Sequence, residues 1–306
     1  MALPFRAVSE TRFFVPTDAD GVQFYEGERF SWPLPEPDGT GGFRPGAPLR
    51  PPRGARLALR DLDSLLEDLG ERIFLAEPVV GQPERPESAR LLGETAWSLE
   101  AAARFALDCV DHIVGGSGDL RLPNGASVSE LLAEVRGFLE EGTVEKGILH
   151  SISRLALARR LRRQGDEVAD VAFGFALEDE AAGEDTFADP AWTAAAALRE
   201  ALLSAVEAIR HRAMPRLTEG ENVVYEEEQM AGGPAPETLS TPWGNFSGGR
   251  RRGVVPAWVA AAEAAERARQ AMADTSGEEA ERGERAYQLR LLARALGLEE
   301  TTGPAC

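Results

Sequence analysis

The chain has 306 residues, 43% hydrophobic and 27% charged, with 51 acidic against 33 basic side chains and a formal net charge of −18. That is enough apolar material for a substantial core, in one large domain or two modest ones. A field of that sign repels nucleic acid and anionic lipid at long range, which sets both aside as partners.

Lys146 is the single lysine among the basic residues. Such a bias toward arginine, with abundant Ala, Gly and Pro, fits a high-GC bacterium or a halophile. The two cysteines, Cys109 and Cys306, lie far apart and form neither a disulfide framework nor a CxxC motif. No run approaches 18 apolar residues, and MALPFRAVSE lacks a basic-then-apolar leader pattern, so a cytoplasmic location and no membrane span are expected.

Residues 1–83 are rich in proline, glycine and aromatics. Thr11–Val15, Val22–Tyr25 and Glu28–Trp32 carry strand formers between turn signals, with Asp18-Ala19-Asp20-Gly21 as the first turn. Residues 33–53 hold too much Pro and Gly for regular structure and read as an extended arm. Strands are expected at Arg56–Leu59 and Ile73–Val80. Between them Asp61–Leu69 reads as a short helix with Leu62, Leu65, Leu66 and Leu69 inward and Gly70 as its stop.

Residues 84–215 read as successive helices. The first, near 87–114, places Leu92, Ala96, Leu99, Ala103, Ala106, Val110 and Ile113 on one stripe. A second starts at Ser127, which has capping-box spacing to Glu130, and carries Leu131, Leu132, Val135, Phe138 and Leu139. A third, about 143–164, ends at Gly165, and a fourth spans about 166–178. After an acidic loop to Asp189, the fifth starts at Pro190, carries Leu198, Leu202, Ala205 and Ile209, and ends at Pro215. Residues 216–255 are acidic and then Gly/Pro-rich, a loop or linker. Residues 256–306 form a helical pair, the first half-buried with Trp258, Val259 and Ala262 inward, the second with Tyr287, Leu291 and Leu292. The expected fold is mostly α: an antiparallel helical bundle with a small β-containing, Pro-rich N-terminal region.

Signatures of nucleotide binding, nucleophile elbows, zincins and paired CxxC are missing, which leaves no candidate catalytic residue and no expected cofactor. Each histidine lies near a carboxylate. Asp108 precedes His112 by four residues and Glu207 precedes His211 by four, while His150 follows Glu145 by five. An i, i+4 carboxylate–imidazole pair on a bundle helix suits a shared metal, so Asp108, His112, Glu207 and His211, with His150 as a fifth ligand and Fe, Mn or Zn as the metal, make one reading, a metal oxidase-like bundle. In the plainer reading His211 complements its helix dipole and shares a water-facing side with Glu200, Ser204 and Glu207. The favoured function is a non-catalytic accessory, adaptor or assembly protein that binds a protein partner or itself. Its candidate contacts are Arg250, Arg251 and Arg252 in their glycine-rich setting and Phe13, Phe14 and Trp32 in the aromatic arm.

Overall fold

The computed structural model describes residues 12–82, 85–117, 127–140, 154, 156–168, 190–217 and 255–298. Among them are seven strands: β1 Phe13–Thr17, β2 Val22–Tyr25, β3 Glu28–Ser31, β4 Glu36–Pro37, β5 Phe43–Arg44, β6 Arg72–Gln82 and β7 Arg85–Glu94. There are also seven helices: α1 Leu62–Leu65, α2 Leu99–Ser117, α3 Val128–Glu140, α4 over 156–168, α5 Pro190–Leu217, α6 Ala257–Ser276 and α7 Glu278–Ala295. The fold is mixed, which corrects the expectation of a mostly α bundle. The finding that overturns it is a three-stranded antiparallel sheet of order β1-β6-β7, two of whose strands are 11 and 10 residues long.

The discrepancy lies at 85–94. Leu92 and Ala96 continue the helical spacing of Leu99 and Ala103 backwards, yet burial in this stretch follows a period of two. Pro86 and Ser88 face inward, the register shifts, and Ala89, Leu91 and Gly93 continue inward. The helix starts only at Leu99, behind Ser98, whose hydroxyl accepts from the Ala101 N–H at 3.1 Å.

The chain divides into two compact units. Described residues 12–101 and 288–298 belong to one, and the described residues from 102 to 287 to the other.

In the first unit β6 lies between β1 (Phe13↔Ala76 to Thr17↔Arg72) and β7 (Phe74↔Glu94 to Gln82↔Arg85). Its core gathers Val15, Phe30, Trp32, Leu57, Phe74, Ala76, Ala89 and Leu91. The Asp18 turn is an Asx turn, its Oδ1 accepting from the Asp20 and Val22 N–H groups at 2.9 and 2.8 Å. Glu26 and Gly27, at φ 49° and 81°, give the β2–β3 hairpin two successive left-handed residues, the geometry that matches strand twist. Part of the expected arm at 33–53 is tied down: Gly46 donates to the Leu91 carbonyl at 2.9 Å, and Leu49 bridges Ala89.

Helix α1 is shorter than expected, held at its start by Asp61 accepting from the Ser64 N–H at 2.8 Å. Gly70 serves close approach, because a Cβ there would sit 2.7 Å from both the N and the O of Thr17. Gly70→Ala is expected to cost about 1–2 kcal/mol by forcing β1 away, read as a lower urea midpoint with an unchanged slope.

In the second unit Ala103, Ala106, Val110 and Ile113 of α2 are buried, as are Leu131, Leu132, Val135 and Leu139 of α3. Helix α4 runs through Gly165, where an added Cβ would lie in ordinary contact with Arg199 and Leu202 at 3.6 Å, and the glycine does not end the helix. Helix α5 continues two residues past its expected end at Pro215. The face of α6 is alanine: Ala257, Ala260, Ala261, Ala264, Ala265, Ala268 and Ala271 are buried beside Trp258, while Val259 and Ala262 are only partly so. Among the described residues no helix is long and apolar enough to cross a membrane.

Candidate functional site

Helix α2 presents Asp108, Cys109, Asp111 and His112 on consecutive turns. The His112 Nδ1 lies 2.5 Å from Glu284 Oε2, and its ring stacks on Tyr287 at 3.9 Å and 19°. Glu284 has a fully buried side chain, whereas the imidazole is 41% exposed. A buried carboxylate is tolerable only when paired and hydrogen-bonded, and the imidazole supplies one such partner.

Asp108 turns elsewhere. Arg136 of α3 donates to Asp108 Oδ1 at 2.7 Å and to Asp111 Oδ2 at 3.1 Å. Asp108 and His112, one turn apart on one helix, therefore serve different partners. Cys109 is fully buried. Burial first, then the Glu284 and Asp108 charges, push its thiol well up, so it stays protonated and is no nucleophile. Glu207 is partly buried on α5 and His211 is exposed four residues on. His150 lies outside the described residues, as do Arg250, Arg251 and Arg252. Among the described residues, no group of three or more His, Cys, Asp or Glu is arranged to hold a metal.

Two of the three aromatic contact candidates are placed in the interior. Phe14 and Trp32 are 1% and 4% exposed, and Phe13 is half-buried. Phe14 exchanges backbone hydrogen bonds with Arg60 at 2.7 and 2.9 Å. The large apolar side chains left in water are Phe24, Val79 and Val80 among the described residues. Phe24 is covered on one side by the Arg29 guanidinium, 5.9 Å from its ring centre. Val79 and Val80 fall at a register shift of β6, between Pro78↔Ala89 and Val80↔Ser88. Sequence reasoning singled out neither valine as a contact, nor Glu284 as a partner. The paired valines were visible only as strand formers, and nothing local marks Glu284 as the partner of a residue on another helix.

Compared with known family models, curated proteins and solved structures, the chain matches none.

Proposed function

We propose that this chain is a non-catalytic accessory or assembly protein acting through protein–protein contact, and that the contact is the outer half of the β6–β7 hairpin, met by a second copy of the chain. The observation that carries this reading is the exposure of adjacent Val79 and Val80, at 44% and 41%. Neighbours in a regular strand face opposite sides, but Val79 is the extra residue of a bulge, which re-aims side chains. β1 covers β6 only to Ala76, and among the described residues no strand pairs with that side from Glu77 onward. Pro78 and the bulges blunt this edge against added strands, so the contact rests on side chains and not on a continued ladder.

The rim of the valine patch carries both signs of charge. Arg90 donates to Glu77 at 2.6 Å, and Arg85 and Glu87 are exposed nearby on β7. A two-fold-related copy of such a patch can set acid against base, as self-complementary contacts require. The net charge of −18 opposes the approach of two copies, so added salt should strengthen the association by screening.

Sedimentation velocity across a concentration series tests this. The expected result is a reversible dimer that tightens with salt and is lost in the double variant Val79→Asp, Val80→Asp with its fold intact by circular dichroism. A chain that stays monomeric at every concentration, or a dimer indifferent to the double variant, overturns the reading.

A further inference from the structure

Three polar residues interrupt the alanine face of α5: Thr193, Glu200 and Ser204, all buried. Thr193 Oγ1 donates to Asp274 Oδ2 at 3.1 Å, and Ser204 Oγ donates to the Ala257 carbonyl at 2.8 Å. These bonds join the start of α5 to the end of α6 and the later turns of α5 to the start of α6. The two helices therefore run antiparallel, and Glu200 falls opposite Glu263.

Across this register each carboxyl acts on the other's ionisation, which places the two to share a hydrogen bond. Such a bond needs a proton between them, because ionised carboxylates only accept. Arg199 Nη1 donates to Glu200 Oε1 at 2.5 Å, and its Nε donates to Asp166 Oδ1 of α4 at 3.3 Å. Arg267, one turn beyond Glu263, acts on both glutamates, and Glu266 adds a further negative charge against Glu263. Asp166, Glu200, Glu263 and Glu266 thus outnumber Arg199 and Arg267, and a proton held on Glu200 reduces that excess of negative charge. Helix α3 also packs on α5, but Arg160 binds its Glu134, Asp108 and Asp111 bind its Arg136, and Glu130 and Glu140 are exposed.

We propose that Glu200 and Glu263 form a proton-binding site that clasps α5 to α6, bridging the helices when the proton is held and repelling when it is lost. Burial of Glu200, then the Glu263 charge, moves its carboxyl up to about 7, with Arg199 and Arg267 opposing. The site therefore fills and empties around neutrality. Because the folded value lies above the ordinary 4.5, the sign is fixed. The stability contributed by this site is fully present below that ordinary value and is lost as pH rises through about 7.

The test follows glutamate side-chain carboxyl ¹³C resonances of the whole chain by NMR from acid to alkaline pH. One glutamate is expected to titrate near neutrality, its acidity reduced roughly 100-fold or more. That transition should vanish in Glu200→Gln, whose amide donates to Glu263 at every pH, and the thermal midpoint should stop falling as pH rises past neutrality. In Glu263→Gln, altered at an exposed position that folding tolerates, the transition should remain and move to lower pH. Absence of any glutamate titrating near neutrality, persistence of that signal in Glu200→Gln, or an unmoved midpoint in Glu263→Gln would overturn the proposal.

Discussion

Replacing Trp32 with alanine is expected to lower stability by about 3–5 kcal/mol, the range for truncating a buried aromatic. The ring is 4% exposed and belongs to the core with Val15, Phe74 and Leu91. It also carries a polar duty. Its Nε1 donates to Gln23 Oε1 at 3.3 Å, and Gln23 Nε2 donates in turn to the Ala58 carbonyl at 3.0 Å. Truncation therefore opens a cavity and strips a buried acceptor of its donor, two costs of the same sign. Phe24→Ala, at a ring 55% exposed, should change stability by no more than about 0.5 kcal/mol. Urea titrations of the two variants side by side decide the matter. Equal midpoints would mean that Trp32 is a surface group after all.

The next largest effect is expected from His112→Ala, a loss of about 2–3 kcal/mol. Leaving a buried carboxyl without its hydrogen-bond partner costs about 1–3 kcal/mol, and more for a charged group. The imidazole here is 41% exposed, so water can enter the space it leaves and part of that penalty is relieved. Loss of the stack on Tyr287 adds to the effect. His112→Gln, which keeps a donor near Glu284 Oε2, should recover part of the loss in the same urea assay. A glutamine variant no better than alanine would show that the ring's packing, not its hydrogen bond, holds the site.

The sequence reveals those elements whose signal is local. The stripes of α2 from Leu99 and of α3 stand out because Leu, Val and Ile repeat at helical spacing against charged neighbours. The Asp18 turn is legible because Asp and Gly have no better use there. Alanine is the weak point. It contributes little contrast to either face, so α6 reads as half-buried although its alanine side is fully covered. Glu200 and Ser204 read as water-facing beside Glu207 and His211, yet the same alanine-rich surroundings on α5 bury them. Pairing across the chain is hidden for a different reason. Asp108 lies one helical turn before His112 in sequence, but Arg136 takes it, and the imidazole goes to Glu284 from a distant helix. The sheet is obscured where Leu92 and Ala96 happen to extend a helical spacing through a strand.

An alanine side chain has no rotamers to lose, so the α5–α6 contact forms without the freezing of side chains that leucine or methionine would require. Each methyl, however, contributes less than about 1 kcal/mol when buried. The grip of the two helices is thus the sum of many small equal terms, none of which dominates. A single charge appearing at Glu200 is then comparable to several alanines together. The helix pair carries a coarse adjustment on a finely divided scale, and its rigidity follows the acidity of its surroundings more closely than a leucine-packed pair of the same length would.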